Sequence, residues 1–145
     1  KKGFLKMKIA VVYWSSTGNT EAMAQAVVEG AKHAGAEAEL FTAAEFDGGK
    51  MDEFDAVAFG CPAMGAEELE DGEFAPMFET CESKLSGKKI ALFGSYGWGD
   101  GEWMRTWEEN CRDKGANLVC DSVICQETPD DEALSACRSL GEALA

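Results

Sequence analysis

The sequence predicts a three-layer, doubly wound α/β sandwich, in which a five-stranded parallel sheet lies between two layers of helices. Residues 9–14, 56–60 and 90–94 are continuously apolar, as is typical of strands buried on both faces of a parallel sheet. Between these runs, apolar residues recur at the spacing of amphipathic helices. Because about five strands alternate with four or five helices, right-handed crossovers place the helices on both faces of the sheet.

The first half of the chain predicts one long helix and an edge strand. The helix runs from about Asn19 to Ala34, and Gly35 is placed to end it. Its last turn contains His33, which we expect at the surface. Residues 36–41 alternate apolar and charged side chains, which indicates a strand with one solvated face. Residues 47–49 (Asp-Gly-Gly) are predicted to form a turn.

The second half predicts three more helices and a short last strand. The first of these helices tolerates Pro76 in its first turn. The second runs from about residue 101 to Gly115, and we expect its two tryptophans to lie in the core. Residues 117–121 predict the strand, and Thr128 is expected to cap the last helix. The apolar stripes are Phe74, Phe78, Cys81 and Leu85 in the first of these helices, and Trp103, Trp107 and Cys111 in the second.

Length and composition indicate one domain, and charge narrows its partners. The chain has 145 residues, 46% of them hydrophobic, and no uninterrupted apolar run of about 18 residues. We interpret residues 1–6 as an N-terminal extension or expression remnant, and residues 7–145 as the domain. The net charge of −14 argues against nucleic acid and anionic membranes, and favours a basic protein partner or simple solubility.

The six cysteines are interpreted as reduced, buried thiols. They include no Cys-x-x-Cys pair, and the single histidine cannot complete a zinc set. Most lie within apolar patterns, which points to the cytoplasm. We therefore expect no metal site.

A small-residue loop joins the first strand to the first helix and predicts an anion site. Ser15, Ser16, Thr17 and Gly18 precede a helix N-terminus, whose first N–H groups lack partners within the helix. The loop has no Lys after the glycine, so it is not a nucleoside-triphosphate loop, and it lacks the Gly-x-Gly-x-x-Gly pattern. A phosphate fits it, although the same residues also suit an ordinary capped strand-to-helix turn.

Two further loops follow the third and fourth strands, at the edge of the sheet where such folds bind ligands. Trp98 stands between Gly97 and Gly99, which offer nothing to pack it, so we expect an exposed indole. Met64 precedes another glycine and is able to cover the opposite face of a flat ligand. Together, the three loops predict a phosphorylated aromatic cofactor.

These three loops resemble the FMN-binding loops of the short-chain flavodoxins. The motifs are residues 13–20 (YWSSTGNT), 63–65 (AMG) and 92–99 (LFGSYGWG), and the resemblance extends over residues 7–145. It implies a flavodoxin-like sheet of strand order 2-1-3-4-5 and non-covalently bound FMN. The cofactor-binding residues that it implies are Ser15, Ser16, Thr17, Gly18, Asn19, Thr20, Ala63, Met64, Gly65, Ala66, Glu67, Ser95, Tyr96, Gly97, Trp98 and Gly99.

The resemblance also implies a role for each loop. Residues 15–20 bind the phosphate, with Ser95 nearby, while Trp98 and Met64 cover the two faces of the isoalloxazine ring. Glu67 accepts the N3–H bond, and backbone groups at residues 97 and 99 meet the pyrimidine edge. The peptide between residues 65 and 66 rotates toward N5 when the ring takes up one electron. The family often has Asp or Asn where this chain has Ala66, and alanine tolerates a positive φ less well, so the sequence leaves open the energy of this rotation.

The implied function is that of a low-potential one-electron carrier, shuttling between semiquinone and hydroquinone, and not of an enzyme. Carboxylates near the ring oppose its full reduction, each by roughly 2 kcal/mol at about 8 Å and an effective dielectric constant near 20. The same carboxylates also suit a merely solvated face. They are Glu67, Glu68, Glu70, Asp71, Glu73 and Asp100.

The partners implied by the resemblance are ferredoxin-dependent oxidoreductases and reductases, and we expect a monomer. An FMN-dependent NAD(P)H:quinone reductase on the same fold is the alternative, although the sequence shows no general acid beside the flavin. A receiver domain is excluded, because residues 15–16 (Ser-Ser) and 61–62 (Cys-Pro) stand where it needs acidic groups. A related domain that has lost its flavin is disfavoured by Thr17, Gly18, Met64 and Trp98.

Overall fold

The computed structural model describes residues 6–145, so the expected N-terminal extension lies outside the described residues except for Lys6. All strand pairings are parallel, and the sheet order is β2-β1-β3-β4-β5, as predicted. The strands are β1 (Lys8–Tyr13), β2 (Glu37–Thr42), β3 (Ala56–Gly60), β4 (Lys89–Tyr96), β5 (Asn117–Leu118) and β6 (Val123–Gln126).

The fifth position of the sheet is divided between two short strands, where the sequence predicted one short strand that starts with residues 117–121. β5 pairs with the start of β4 and β6 with its end. In the interruption, the hydroxyl of Ser122 donates to Glu108 at 2.5 Å. The second piece, β6, brings the chain back to β4 at its carboxyl end, beside the loop that follows Tyr96.

Helices cover both faces of the sheet. Helices α1 (Asn19–His33) and α5 (Asp131–Leu144) pack on one face, whereas α3 (Phe74–Cys81) and α4 (Glu102–Asp113) pack on the other with the short α2 (Gly48–Met51). Alternate residues of the central strands enter the two cores, so these strands are buried on both sides, as their continuous apolar sequence predicted. Trp103 and Trp107 are each 2% exposed, which confirms them as core residues.

Helices α1 and α5 approach each other closely through two glycines. A Cβ on Gly30 would lie 1.9 Å from the carbonyl oxygen of Arg138, and one on Gly141 would lie 2.1 Å from that of Val27. Distances this short leave room only for hydrogen atoms. The two glycines therefore set the separation between the first and last helices.

Two predictions about helix starts were wrong for a common reason. Residues 47–49 do not form a simple turn, because the Asp47 side chain accepts from the N–H groups of Gly49 and Lys50 and starts α2. The cap of α5 is Asp130, not Thr128, and its carboxylate accepts from Ala133 N–H at 2.8 Å. In both cases an aspartate supplies the acceptor that the first N–H groups require.

The end of α1 agrees with the prediction. The helix stops at His33, and Gly35 adopts a φ of +96°, the left-handed conformation that commonly ends helices. The His33 side chain is exposed, 3.4 Å from a carboxylate oxygen of Glu142 on α5.

All six cysteines are free thiols, and four of them are buried. Burial raises the pKa of Cys61, Cys111 and Cys137 to about 12 and that of Cys81 to about 11. These four are therefore neutral side chains that pack as small apolar groups. Across residues 6–145, no helix combines the length and the apolar character needed to cross a membrane.

Candidate cofactor site

The loop after β1 leads into the N-terminus of α1. Several backbone N–H groups of this loop and of the first turn of the helix are free to meet a ligand. Gly18 adopts a φ of +94° and precedes the helix. Ser15 Oγ accepts from Gly18 N–H at 3.1 Å, and Thr17 Oγ1 accepts from Asn19 N–H at 3.4 Å. Within the described chain, the N–H groups of residues 16, 17, 20 and 21 have no acceptor. This arrangement suits an anion held by uncharged groups.

Buried hydrogen bonds join the three predicted loops. The hydroxyls of Thr20 and Ser95, which are 1% and 5% exposed, lie 3.0 Å apart and link the start of α1 to the end of β4. Ala63 N–H donates to the Ser95 carbonyl at 3.0 Å and links the loop after β3 to the same point. Ser95 is therefore the junction at which the loops meet.

Residues 64–68 form a tight turn whose strain falls on Glu67. Met64 N–H donates to the Glu68 carbonyl at 2.8 Å, and Glu68 N–H donates back at 2.9 Å. Gly65 has a φ of +51° and Glu67 a φ of +58°, whereas Ala66 is not in the left-handed region. This turn uses left-handed backbone at its first and third central residues, so it asks for no positive φ at Ala66, the point that the sequence left open.

The Glu67 side chain contains a buried oxygen that lacks a hydrogen-bond donor. Its carboxylate lies against the backbone of Gly99, where an added Cβ would stand 2.7 Å from the carboxyl carbon. Its Oε1 is inaccessible to solvent and has no donor among residues 6–145. An unsatisfied buried acceptor costs about 1–3 kcal/mol, so a ligand N–H that reached this oxygen would be favoured.

The indole of Trp98 is 65% exposed, which makes it the most exposed large apolar side chain of the described residues. This confirms the prediction of a displayed ring. Met64 is half-buried on the neighbouring loop. An exposed indole and a thioether on neighbouring loops suit the binding of a flat aromatic ring.

A cavity of about 410 Å³ opens between these loops at the carboxyl edge of the sheet. Residues 15, 18 and 20 belong to the loop that supplies Ser16, Thr17 and Asn19, whereas residues 65–67, 98 and 99 follow the lining residues Met64 and Gly97 in the sequence. Its size lies in the range of ligand pockets. The predicted residues that line it are Ser16, Thr17, Asn19, Ala63, Met64, Ser95, Tyr96 and Gly97.

Three residues that were not predicted from the sequence to belong to the site also line the cavity. They are Pro62, Glu127 and Thr128. The last two lie in the loop between β6 and α5, where Glu127 adopts a φ of +58°. Carboxyl-edge loops of a parallel sheet share one side of the molecule. Had the loop after the last strand been considered together with the other carboxyl-edge loops, Glu127 and Thr128 would have been predicted as site residues.

Three of the six carboxylates singled out in the sequence have bonds within the protein. Glu70 accepts N–H bonds from residues 72, 73 and 74 at 2.7–2.8 Å. Partial burial raises its pKa, but these bonds outweigh burial and hold the pKa below its usual value. Glu73 accepts from the indole N–H of Trp14 at 3.0 Å, and Asp100 pairs with Arg105 at 3.1 Å.

Negative charge nevertheless concentrates beside Trp98. Carboxylate oxygens of Glu67, Asp100 and Glu102 all lie within 4.8 Å of one another. Glu68 and Asp71 are exposed, and their side chains have no cationic partner among the described residues. The rim is thus strongly acidic, and part of its charge is uncompensated.

Comparison with known proteins agrees with this geometry. The sequence model of the family described as Flavodoxin matches residues 11–141. The chain belongs to the flavodoxin family. It is 45% identical to the flavodoxin of Megasphaera elsdenii over 140 residues, which cover 94% of this chain and 98% of that protein. It is 43% identical to the flavodoxin of Clostridium beijerinckii, with 93% and 97% covered.

The solved structures give the same family. The solution structure of two-electron reduced Megasphaera elsdenii flavodoxin superposes with a TM-score of 0.86 and covers 94% of this chain and 97% of its own. Flavodoxins are FMN-binding electron carriers, and this chain is one of them. The relatives do not favour the quinone-reductase alternative.

The residues of this chain fit FMN. The uncharged donors at the start of α1 suit its phosphate, the unpaired Oε1 of Glu67 suits a ring N–H, and the exposed indole of Trp98 suits an aromatic face.

Proposed function

We propose that this flavodoxin carries electrons one at a time, at low potential, between partner oxidoreductases. The observation that carries the proposal is that the loops around one cavity include an uncharged anion loop and an exposed indole, with a cluster of carboxylates on the same loops. When bound, FMN supplies a ring that accepts and releases electrons singly. The protein binds this ring, orients it and sets the electrostatic field around it.

The loop of residues 15–20 holds the phosphate through N–H groups and hydroxyls alone. Neither this loop nor the rest of the cavity lining contains a lysine or arginine. The phosphate therefore keeps most of its charge near the ring. Added negative charge on the ring meets this charge and the acidic rim together, which lowers the potential at which the ring becomes fully reduced.

Trp98 and Met64 would cover the two faces of the ring and exclude water from it. The buried Oε1 of Glu67, which has no donor in the described chain, would accept a hydrogen bond from a ring N–H. Backbone groups of Gly97 and Gly99 would meet the pyrimidine edge. The lining of the cavity by Met64 and Gly97 supports these roles.

The partners are oxidoreductases that present a basic surface, including enzymes otherwise served by ferredoxin. The net charge of −14 and the unpaired carboxylates of Glu68 and Asp71 support this assignment. We also propose that the protein is a monomer that works in the cytoplasm, in accordance with its six free thiols.

Reconstitution with FMN tests the proposal. The purified chain should quench the fluorescence of added FMN and turn yellow, and stepwise reduction should resolve into two one-electron steps in the visible spectrum. A chain that stays colourless and leaves FMN fully fluorescent would refute FMN binding. Steady NAD(P)H-dependent turnover without a separate reductase would instead establish the quinone reductase.

A further inference from the structure

The loop that presents Trp98 has few anchors of its own. Residues 97–99 follow the end of β4 and are all exposed. A Cβ on Gly97 would find no other heavy atom within 4 Å. Among residues 6–145, one hydrogen bond reaches the backbone of this segment. In that bond, the side-chain amide of Gln126 donates to the Gly97 carbonyl at 3.2 Å.

The backbone of Gln126 is held firmly enough to make this contact useful. Gln126 is the last residue of β6 and pairs in register with Tyr96 of β4. The next residue, Glu127, donates its N–H to the Tyr96 carbonyl at 2.8 Å and turns the chain away with a φ of +58°. The Gln126 side chain is itself exposed, so the core does not depend on it.

We propose that Gln126 is a positioning residue of the flavin site. By donating to the Gly97 carbonyl, its amide fixes the segment of residues 97–99 and thereby the indole that Trp98 offers to the ring. The inference rests on the proposed function, because it concerns the same cofactor. It adds a residue outside the three binding loops, supplied by the far end of the divided fifth strand.

Two substitutions separate hydrogen-bond donation from packing. Gln126→Ala removes the donor, whereas Gln126→Glu keeps the size of the side chain and places an acceptor against the carbonyl oxygen. If donation is what matters, Glu is the worse replacement. We expect FMN to bind about fivefold more weakly to Gln126→Ala and about tenfold more weakly to Gln126→Glu, as a lost and a repulsive contact predict.

The dissociation constant is measured by quenching of FMN fluorescence in 0.1 M and in 1 M NaCl. In 1 M salt the screening length is about 3 Å, so the charge added by Gln126→Glu no longer acts on the phosphate. Gln25→Glu makes the same chemical change at the chain's other glutamine, on the exposed side of α1, and should bind FMN like the wild type. The unfolding midpoint of each apoprotein and the visible circular dichroism of each FMN complex are recorded as well.

In both salt concentrations, FMN should bind most tightly to the wild type, more weakly to Gln126→Ala and most weakly to Gln126→Glu. The visible circular dichroism of both variant complexes should differ from that of the wild type, whereas the unfolding midpoints of the apoproteins should not. The inference is overturned if both variants bind FMN within twofold of the wild type, or if Gln126→Ala binds more weakly than Gln126→Glu in 1 M salt. It is also overturned if the apoprotein midpoints fall in the same order, since the role would then be structural. A wild-type chain that fails to bind FMN would refute the proposed function itself, and this inference with it.

Discussion

Glu70 should be a structural carboxylate and not only part of the acidic rim. Its Oε1 accepts from the N–H groups of Glu73 and Phe74 and its Oε2 from that of Gly72, so it satisfies the backbone where α3 begins. Its own N–H donates to the Cys61 thiol at 3.4 Å. We therefore expect Glu70→Gln to destabilise the loop between β3 and α3, although the substitution keeps the shape of the side chain.

The magnitude follows from what the amide cannot replace. An amide oxygen retains the two bonds at Oε1, but its NH₂ group faces the Gly72 N–H, which costs about 1 kcal/mol for an unsatisfied donor. Loss of the charge near the N-terminus of α3 costs a further 0.5 kcal/mol or so. The sum of roughly 1.5 kcal/mol corresponds to a fall of about 5 °C in Tm for a chain of this size. Glu70→Ala removes all three bonds and should cost about 3 kcal/mol.

Urea unfolding of the apoprotein at pH 7 and at pH 3 tests this prediction. The pKa of Glu70 is lowered in the folded state, so its contribution is complete above the unfolded pKa of about 4.3 and is lost as pH falls through the folded pKa. The stability gap between wild type and Glu70→Gln should therefore narrow at pH 3. Glu79→Gln, at an exposed acid on α3, is the control. A Glu70→Gln protein as stable as the wild type at pH 7, or an equal gap at both pH values, would refute the reasoning.

Three further predictions concern the helix interface, the rim and the phosphate loop. Gly141→Ala should destabilise the apoprotein by about 2–3 kcal/mol, because its methyl group would overlap the Val27 carbonyl, whereas Ser139→Ala on the same helix should change the urea midpoint little. Asp71 is exposed, so its charge acts through water, where a unit charge at about 8 Å is worth about 0.5 kcal/mol and not the roughly 2 kcal/mol of a partly buried pair. Asp71→Asn should therefore raise the potential of the second one-electron step by about 20 mV in dilute buffer and by less in 1 M NaCl, as potentiometry will show. Thr20→Val should weaken FMN binding about tenfold in a fluorescence titration, because it leaves the buried Ser95 hydroxyl without its partner; an unchanged dissociation constant would contradict this.

The sequence was sufficient to predict the centre of the sheet, because β1, β3 and β4 are buried on both faces and contain continuous apolar runs. The first helix was also predicted closely, from the glycines on either side of it. The division of the fifth strand could not be seen, since residues 117–126 mix apolar and polar side chains without a clear period. The second half, β6, pairs with β4 through backbone hydrogen bonds, which do not require a particular pattern of side chains.

The site was predictable where residue type decides the chemistry. Small hydroxylated residues before a helix favour an anion, an indole between glycines favours a flat ligand, and the structure brings both to the same edge of the sheet. The structural role of Glu70 could not be predicted, because its neighbours in the sequence are also acidic and nothing distinguishes it from them. The strain at Glu67 was missed for another reason: the hydrogen-bond register of its turn, and not the identity of Ala66, decides which residue takes the left-handed conformation.

Because α1 and α5 are in close contact through two glycines, we expect FMN to bind only after the C-terminal helix has been synthesised. The anion loop leaves the ribosome early, but the helix behind it gains its contacts with α5 only when residues 131–144 have emerged. A nascent chain that lacks α5 leaves part of the apolar side of α1 exposed and the loop less firmly supported. FMN uptake should therefore be a late event, which begins only after the last helix has docked.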